Sequence, residues 1–438
     1  MSIEKQKILI KGAHILSMDS KIGNLPVGDV LIEGTKITRV ASGITTNDAE
    51  IIDATGMILM PGFTDAHRHC WQGTLRRLMP DVSDLMAYVN DVHFGLACHY
   101  RPEDVYLANL ITALSAIDNG ITTLVDASHN TRSYQHALAA VDALQESGIR
   151  ALYAPGYPLG GDWEESFWPK GLEQLQKERF SDDGLLRMGI FTHMSTEHWN
   201  IARHLGVPIV TEFLGSQLSD VLKGLQQKGE LGPDNIFNHC TGLSKEAWQI
   251  MSDSGVKVTV DPRSDAQYGL EEGVFAYQHA VDHGMKPGIG TDLETAYGGD
   301  MFTEMRVAFS LQRAFAQHKK FNGETKIIKP VTAMEILEAA TINGTEIAGF
   351  GKVSGSITPG KSADLILIDT SAINLFPSND AVGTVVHAAD RSNVDTVMIA
   401  GKILKSGGRL VNANLVNLQN RAGESVRYLL EKSGYGKL

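Results

Sequence analysis

Short apolar runs separated by polar or glycine turns fill the first sixty residues. Lys7 to Gly12 and Ala13 to Ser17 read as strands, and Asp29 to Val40 as a hairpin turning at Glu33-Gly34. The same texture returns near the other end. Ala363 to Asp369 is an apolar strand, and Val397 to Leu404 reads as a hairpin around Gly401. Neither group is large enough to bury a core alone, so the pattern predicts one β domain assembled from both ends of the chain.

Between about residues 60 and 350 the pattern changes to short apolar runs alternating with helical stretches, the signature of βα units on a parallel sheet. Eight strands are expected: Met57 to Phe63, Thr122 to Asp126, Ala151 to Ala154, Met188 to His193, Val207 to Glu212, Ile236 to His239, Val256 to Val260 and Pro287 to Asp292. Tyr134 to Gly148 and Ser244 to Gly255 show helical spacing and close in Gly. The economical reading is an α/β fold, a TIM-like (β/α)8 barrel over residues 59–352. Segments 1–58 and 353–438 would jointly form a small β-sandwich, with Leu415 to Lys432 a peripheral terminal helix.

Composition narrows the function. The 438 residues carry 39 Lys+Arg against 51 Asp+Glu, a net charge of −12, which disfavours binding to duplex nucleic acid or an anionic membrane. No apolar run approaches the ~18–20 residues of a membrane span. The start, Met1 to Lys7, lacks the features of a secretion signal. Cys70, Cys98 and Cys240 are an odd, widely spaced set that fits no disulfide framework. These features predict a cytoplasmic protein whose partner is a small molecule. They leave its assembly open, a homo-oligomer included.

The chemistry is expected where barrel strands end. The first ends in Pro61-Gly62-Phe63-Thr64-Asp65-Ala66-His67-Arg68-His69, and in extended chain His67 and His69 point to one side. Two imidazoles on one face can grip a single divalent cation, Zn²⁺ first and Fe²⁺ as the alternative. A bare His-x-His is usually a solvated surface pair. His239 ends the sixth strand, however, and Asp292 the eighth, so four donors share one end of the barrel. A carboxylate there could complete the metal shell and take a proton from a metal-acidified water, whose pKa falls toward ~7.

These residues give the chain its resemblance to a known family. Pro61 to His69, Asn238 to Ser244, Gly290-Thr291-Asp292, Ala340 to Gly344 and Gly355 to Leu365 together resemble the amidohydrolase superfamily, near its cytosine deaminase and triazine hydrolase branch. The resemblance covers most of the chain. It implies a (β/α)8 barrel with a β-sandwich of both termini, and one divalent metal that activates water against an sp² carbon bearing an amino or other leaving group.

One position departs from the family. Members of this branch place a third metal-binding His at the end of strand five, often with a catalytic Glu three residues later. Here Glu212 falls at the His position and Gly215 at the Glu position. Glu212 could ligate through oxygen, could shuttle protons beside a metal held by His67, His69 and Asp292, or could mark loss of the metal. His193, at the end of strand four, is the rival for the missing His and otherwise a pocket residue.

Trp71 and Gln72 follow the His pair and are candidates to wall a planar ring and bond its edge, with His129 after strand two a third substrate-side residue. Arg263, Asp265, Asp300 and Met301 are weaker candidates. Tyr153, Tyr157, Trp163, Phe167 and Trp168 read mainly as packing. Cys240 has no nearby base to make it a nucleophile. The expected function is metal-dependent hydrolysis of a non-peptide C–N bond in a small cyclic or amidine-like compound, a deamination. His239 would orient water or stabilise the oxyanion, with Asp292 or Glu212 moving the proton. The alternatives are a dehalogenating or non-hydrolytic enzyme on the same fold, and a non-catalytic binding barrel.

Overall fold

Parallel pairing organises the middle of the chain. The computed structural model describes residues 6–168, 170–271, 274–325 and 327–436. Its barrel strands are Phe63–Arg68, Ile121–Ser128, Arg150–Pro155, Leu186–Met188 continued by Ile190–Phe191, Ile209–Phe213, Asn235–His239, Lys257–Val260 and Gly288–Ile289. They form a four-stranded and a five-stranded sheet, each in sequence order. The fourth strand belongs to both, broken at Gly189, whose N–H donates to Tyr153 O at 2.8 Å. At the other seam Asp292 N donates to His67 O and His69 N to Asp292 O, both at 2.8 Å, and Arg68 pairs with Asp292 in a parallel bridge. The fold is the expected TIM-like α/β barrel, and the parallel direction puts every strand's C-terminal end on one face.

Local chemistry explains the intervening helices. Tyr134–Ser147 starts behind Ser133, whose side chain accepts from His136 N, and stops at Gly148 in the left-handed region. Lys245–Asp253 is capped by Ser244. Met301–Phe321 begins behind Asp300, which accepts from Thr303 N at 2.8 Å. That assigns Asp300 and Met301, weak site candidates, to a helix start.

Both termini share one nine-stranded sheet. Lys7–Leu16, Asn24–Glu33, Lys36–Ala41, Glu50–Asp53 and Met57–Pro61 come from the N-terminal side, and Leu365–Asp369, Val394–Ile399, Lys402–Ser406 and Arg409–Leu410 from the C-terminal side. The halves meet where Leu365–Asp369 lies antiparallel on Met57–Pro61. Ile8, Ile10, Ile15, Val30, Ile32, Leu59, Leu365 and Leu367 make its own buried cluster. The expected first barrel strand, Met57 to Phe63, is therefore two strands. Met57–Pro61 belongs to the terminal sheet, and the barrel starts at Phe63. Gly62 lets the chain cross between them, since a Cβ there would stand 2.1 Å from Thr122 Cγ2.

Arg150 at the base of the third strand pins the two parts together, its Nε donating to Asp364 Oδ2 at 2.6 Å with both side chains buried. The terminal helix Leu415–Ser433 lies on the barrel side, where Ser425 Oγ donates to Asp104 Oδ1 at 2.6 Å. No helix among the described residues is long and apolar enough to cross a membrane.

Candidate metal centre

His67 is the penultimate residue of the first strand and His69 follows its end. Both rings are buried, with centroids 4.8 Å apart. His69 donates from Nδ1 to Ala127 O at 2.8 Å, which fixes the ring's orientation and turns Nε2 into the site. That nitrogen lies 3.0 Å from Glu212 Oε1 and 3.1 Å from Asp292 Oδ1. His67 Nε2 is 3.4 Å from Asp292 Oδ1, and neither of its ring nitrogens has a hydrogen-bond partner among the described residues.

Unpartnered polar atoms this deep cost about 1–3 kcal/mol each. A divalent cation would relieve that cost. His67, His69 and Glu212 offer donor atoms within 4.8 Å of one another, so small side-chain adjustments bring them round one ion at about 2.0–2.2 Å. The donor set, two imidazoles with the carboxylates of Glu212 and Asp292, suits Zn²⁺ or Fe²⁺. Burial pushes both carboxyls up. The histidines beside them, His69 for Glu212 and His67 with His69 for Asp292, outweigh it and hold both well below the usual range.

The backbone is strained at this point. His239, Cys240 and Asp292 have φ of 66°, 55° and 59°, a region that costs non-glycine residues of order 1–3 kcal/mol. Asp292 is held there by its two bonds to the first strand, and Asp65 adds another tie by accepting from Thr291 N at 2.8 Å and Thr291 Oγ1 at 2.6 Å. Ser264 Oγ donates to Asp292 Oδ2, which leaves Oδ1 aimed at the histidines.

His239 presents its Nδ1 edge to two carboxylates, Asp265 Oδ1 at 2.8 Å and Asp261 Oδ2 at 3.4 Å. Burial pulls this imidazole down, but the Asp265 hydrogen bond and the Asp261, Asp265 and Asp292 charges lift it to about 10. Its Nε2 edge is left to meet a ligand.

The other expected substrate-side residues are placed differently. His129 does line the site, stacked on His69 at 4.0 Å, with Nε2 3.7 Å from Glu212 Oε1. Trp71 does not wall a ligand: it is fully buried, and its Nε1–H donates to His129 Nδ1 at 3.0 Å. Gln72 is also buried, donating to Tyr88 OH, so it reaches the site only through that tyrosine. His193 packs against Tyr157 and Phe191, at 5.4 and 5.5 Å, outside the cavity lining. Arg263 turns away to Glu304 Oε1 at 2.9 Å. Tyr153 and Phe167 are buried packing, and Tyr157 stacks on Trp163. Burial pushes the Cys240 thiol well up, away from any thiolate.

Sequence reasoning missed Asp261 and Ser264. Both follow the end of strand seven, in Asp261-Pro262-Arg263-Ser264-Asp265, and the rule that strand ends carry chemistry would have found them. Above the cluster is a cavity of about 100 Å³. Its floor is His69, His129, Glu212, His239 and Asp292, and its roof is Leu85, Val89, Leu159, Leu214 and Leu270.

The profile of the Amidohydrolase family matches residues 188–404. A 5'-deoxyadenosine deaminase of Methanobrevibacter smithii is 29% identical over 97% of this chain and 99% of that protein. A 5-methylthioadenosine/S-adenosylhomocysteine deaminase of Desulforamulus reducens is 26% identical over 91% of this chain and 93% of that protein. Among solved structures, an adenosine deaminase from Xanthomonas campestris with bound zinc superposes at TM-score 0.85, with 22% identity over 98% of this chain and 99% of that one. An atrazine chlorohydrolase from Arthrobacter aurescens complexed with zinc gives 0.82, with 19% identity over 96% and 100%.

Proposed function

From its similarity to the amidohydrolase family, we propose that the chain is a metal-dependent deaminase that hydrolyses the exocyclic C–N bond of a small planar amidine-type ring, releasing ammonia. The observation that carries this reading is the convergence of His67, His69, Glu212 and Asp292, with both ring nitrogens of His67 unpartnered in a fully buried place. Those four residues hold one divalent ion, Zn²⁺ in our assignment. When bound, such an ion supplies a water acidified toward ~7.

The chain's own residues do the rest. Gly215 stands where the family's catalytic Glu is expected, so proton transfer falls to Asp292 or Glu212. Ser264 holds Asp292 by one oxygen and keeps the other facing the site, within reach of a proton. His239, charged at neutral pH, donates from Nε2 to the oxygen on which charge develops at the attacked carbon. The apolar roof of Leu85, Val89, Leu159, Leu214 and Leu270 excludes water and accepts the face of a ring.

Adenine nucleosides whose 5'-hydroxyl is absent or replaced by a thioether are the first substrates to test, because the similar deaminases are named for them. Ammonia release by zinc-loaded protein should be assayed on adenosine, 5'-deoxyadenosine, 5'-methylthioadenosine, cytosine and aminotriazines. Turnover of at least one that is lost in His67→Ala supports the reading. No ammonia from any of them, with metal bound, would count against it.

A further inference from the structure

Tyr268 takes no part in the chemistry above, yet it lines the cavity. Of the lining side chains, only two have a fully buried polar atom with no hydrogen-bond partner among the described residues: Asp292, through Oδ1, and Tyr268, through its hydroxyl. Asp292 Oδ1 faces the histidines. Tyr268 is 5% exposed. Burial pushes its phenol up, so the proton stays on at neutral pH, and Thr295 relieves this only in part. No hydrogen bond joins the two hydroxyls, since Thr295 Oγ1 is also without a partner. A tyrosine hydroxyl this deep usually finds a partner, because leaving it unpaired is costly. Phenylalanine would fill the same space without that cost.

Local structure sets the phenol beside the donors. Tyr268 follows the short helix Pro262–Gln267, and its N–H donates to Ser264 O at 2.9 Å. Residues four apart on a helical turn share a face, and Ser264 and Tyr268 both enter the cavity lining. One turn of chain thus holds Asp292 through Ser264 and presents Tyr268 to the same cavity. The ring is seated edge-to-face on Tyr88, with centroids 5.6 Å apart. The Tyr88 hydroxyl is engaged, accepting from Gln72 Nε2 and lying 3.2 Å from His93 Nε2. His129 Nδ1 is likewise held, by Trp71. The leucine and valine roof offers no polar side chain.

We propose that Tyr268 is a specificity-determining residue: its O–H donates to an acceptor on the edge of the bound ring, a ring nitrogen or ring carbonyl oxygen, and selects aminoheterocycles that carry one. The exocyclic amino group leaves at the metal, so the polar atoms remaining on such a ring edge are acceptors. A largely apolar pocket fixes a ring's orientation with few polar groups. Each of them discriminates strongly, because a ligand that cannot pair leaves the buried group unsatisfied. A carbocyclic amine of the same shape would enter without being held. This inference rests on the deaminase reading and narrows its substrate class.

Tyr268→Phe removes one oxygen and leaves the ring. We expect unchanged zinc content, a urea midpoint no lower than wild type, and kcat/KM at least about tenfold lower on any substrate of the ammonia assay. An analogue of that substrate with the ring acceptor replaced by C–H should lose a similar factor on wild type and little more on the variant. A purely structural hydroxyl would do the reverse, lowering the urea midpoint with kcat/KM intact. Unchanged kcat/KM, at any stability, overturns the proposal. If no substrate releases ammonia, the deaminase reading fails separately, and calorimetric binding of pyrimidin-2-one to zinc-loaded protein decides. Binding at least about tenfold weaker in Tyr268→Phe supports the proposal. Equal affinity, or no binding to wild type, overturns it.

Discussion

His69 Nε2 lies 3.0 Å from Glu212 Oε1, and the imidazole cannot turn away because its other nitrogen is bonded to Ala127 O at 2.8 Å. A carboxylate thus occupies the strand-five position opposite a histidine whose Nε2 is fixed in direction. Both groups have the orientation of ligands rather than of an incidental ion pair.

Glu212→Gln should therefore weaken zinc binding by at least about tenfold, because a neutral amide replaces an anionic donor. Glu212→His should keep the metal, since imidazole is an equally good donor at the same place. Competition against a chromophoric chelator measures both. If Glu212→Gln binds zinc as tightly as wild type while turnover collapses, Glu212 moves protons and does not ligate.

Gly290→Ala reaches the metal centre without altering any donor. The added methyl would meet Asp261 Oδ1 at 2.3 Å and His67 Cβ at 2.8 Å, and the first strand cannot retreat because Asp292 N is bonded to His67 O. We expect folded protein by circular dichroism with metal content cut to about a tenth or less. Full metal content in this variant would mean that Asp261 and His67 can both shift freely.

Much of this was legible in the sequence. Apolar runs that end in a polar residue located His67, His239 and Asp292, because functional side chains of such a barrel gather at the C-terminal ends of its strands. The hairpin at Gly34 and the one at Gly401 were readable from turn chemistry alone. Asp261 obeys the same rule but was passed over, because Asp followed by Pro also reads as a helix cap, and the missing capping bond separates the two readings. The Trp71 bond to His129 spans 58 residues and has no local signature. The split at Gly62 was hidden because apolar residues continue on both sides of it, and only the pairing partners reveal two sheets.

Trp71→Phe tests the role of that bond. It removes the donor to His129 Nδ1 and leaves a buried acceptor unpaired, a loss of about 1–3 kcal/mol. It also frees His129 to exchange tautomers beside Glu212. Denaturant unfolding should show the stability loss. Turnover should fall, with zinc affinity nearly unchanged, because no first-strand donor is touched. An equal loss of zinc affinity would instead place His129 among the ligands.

Asp126 is not itself a donor and supplies a pH dependence of stability beside them. Burial pushes its carboxyl up to about 6, against partial relief from the Cys70 N–H at 3.0 Å. The folded chain therefore holds this proton where the unfolded chain, at the usual 3.8, has released it. Below about pH 4 both states are protonated and the residue has no effect. Between about pH 4 and 6 its contribution becomes progressively less favourable, and above that range it costs about 3 kcal/mol. Asp126→Asn keeps an oxygen for Cys70 N and removes the charge. The variant should thus be more stable than wild type at pH 7, by up to about 3 kcal/mol, with the difference closing as pH falls toward 4. Urea unfolding of both proteins under the same metal load, at several pH values, measures this. A difference that does not change with pH would show that the carboxyl is ionised in the fold throughout, and that its burial is compensated by a group other than Cys70.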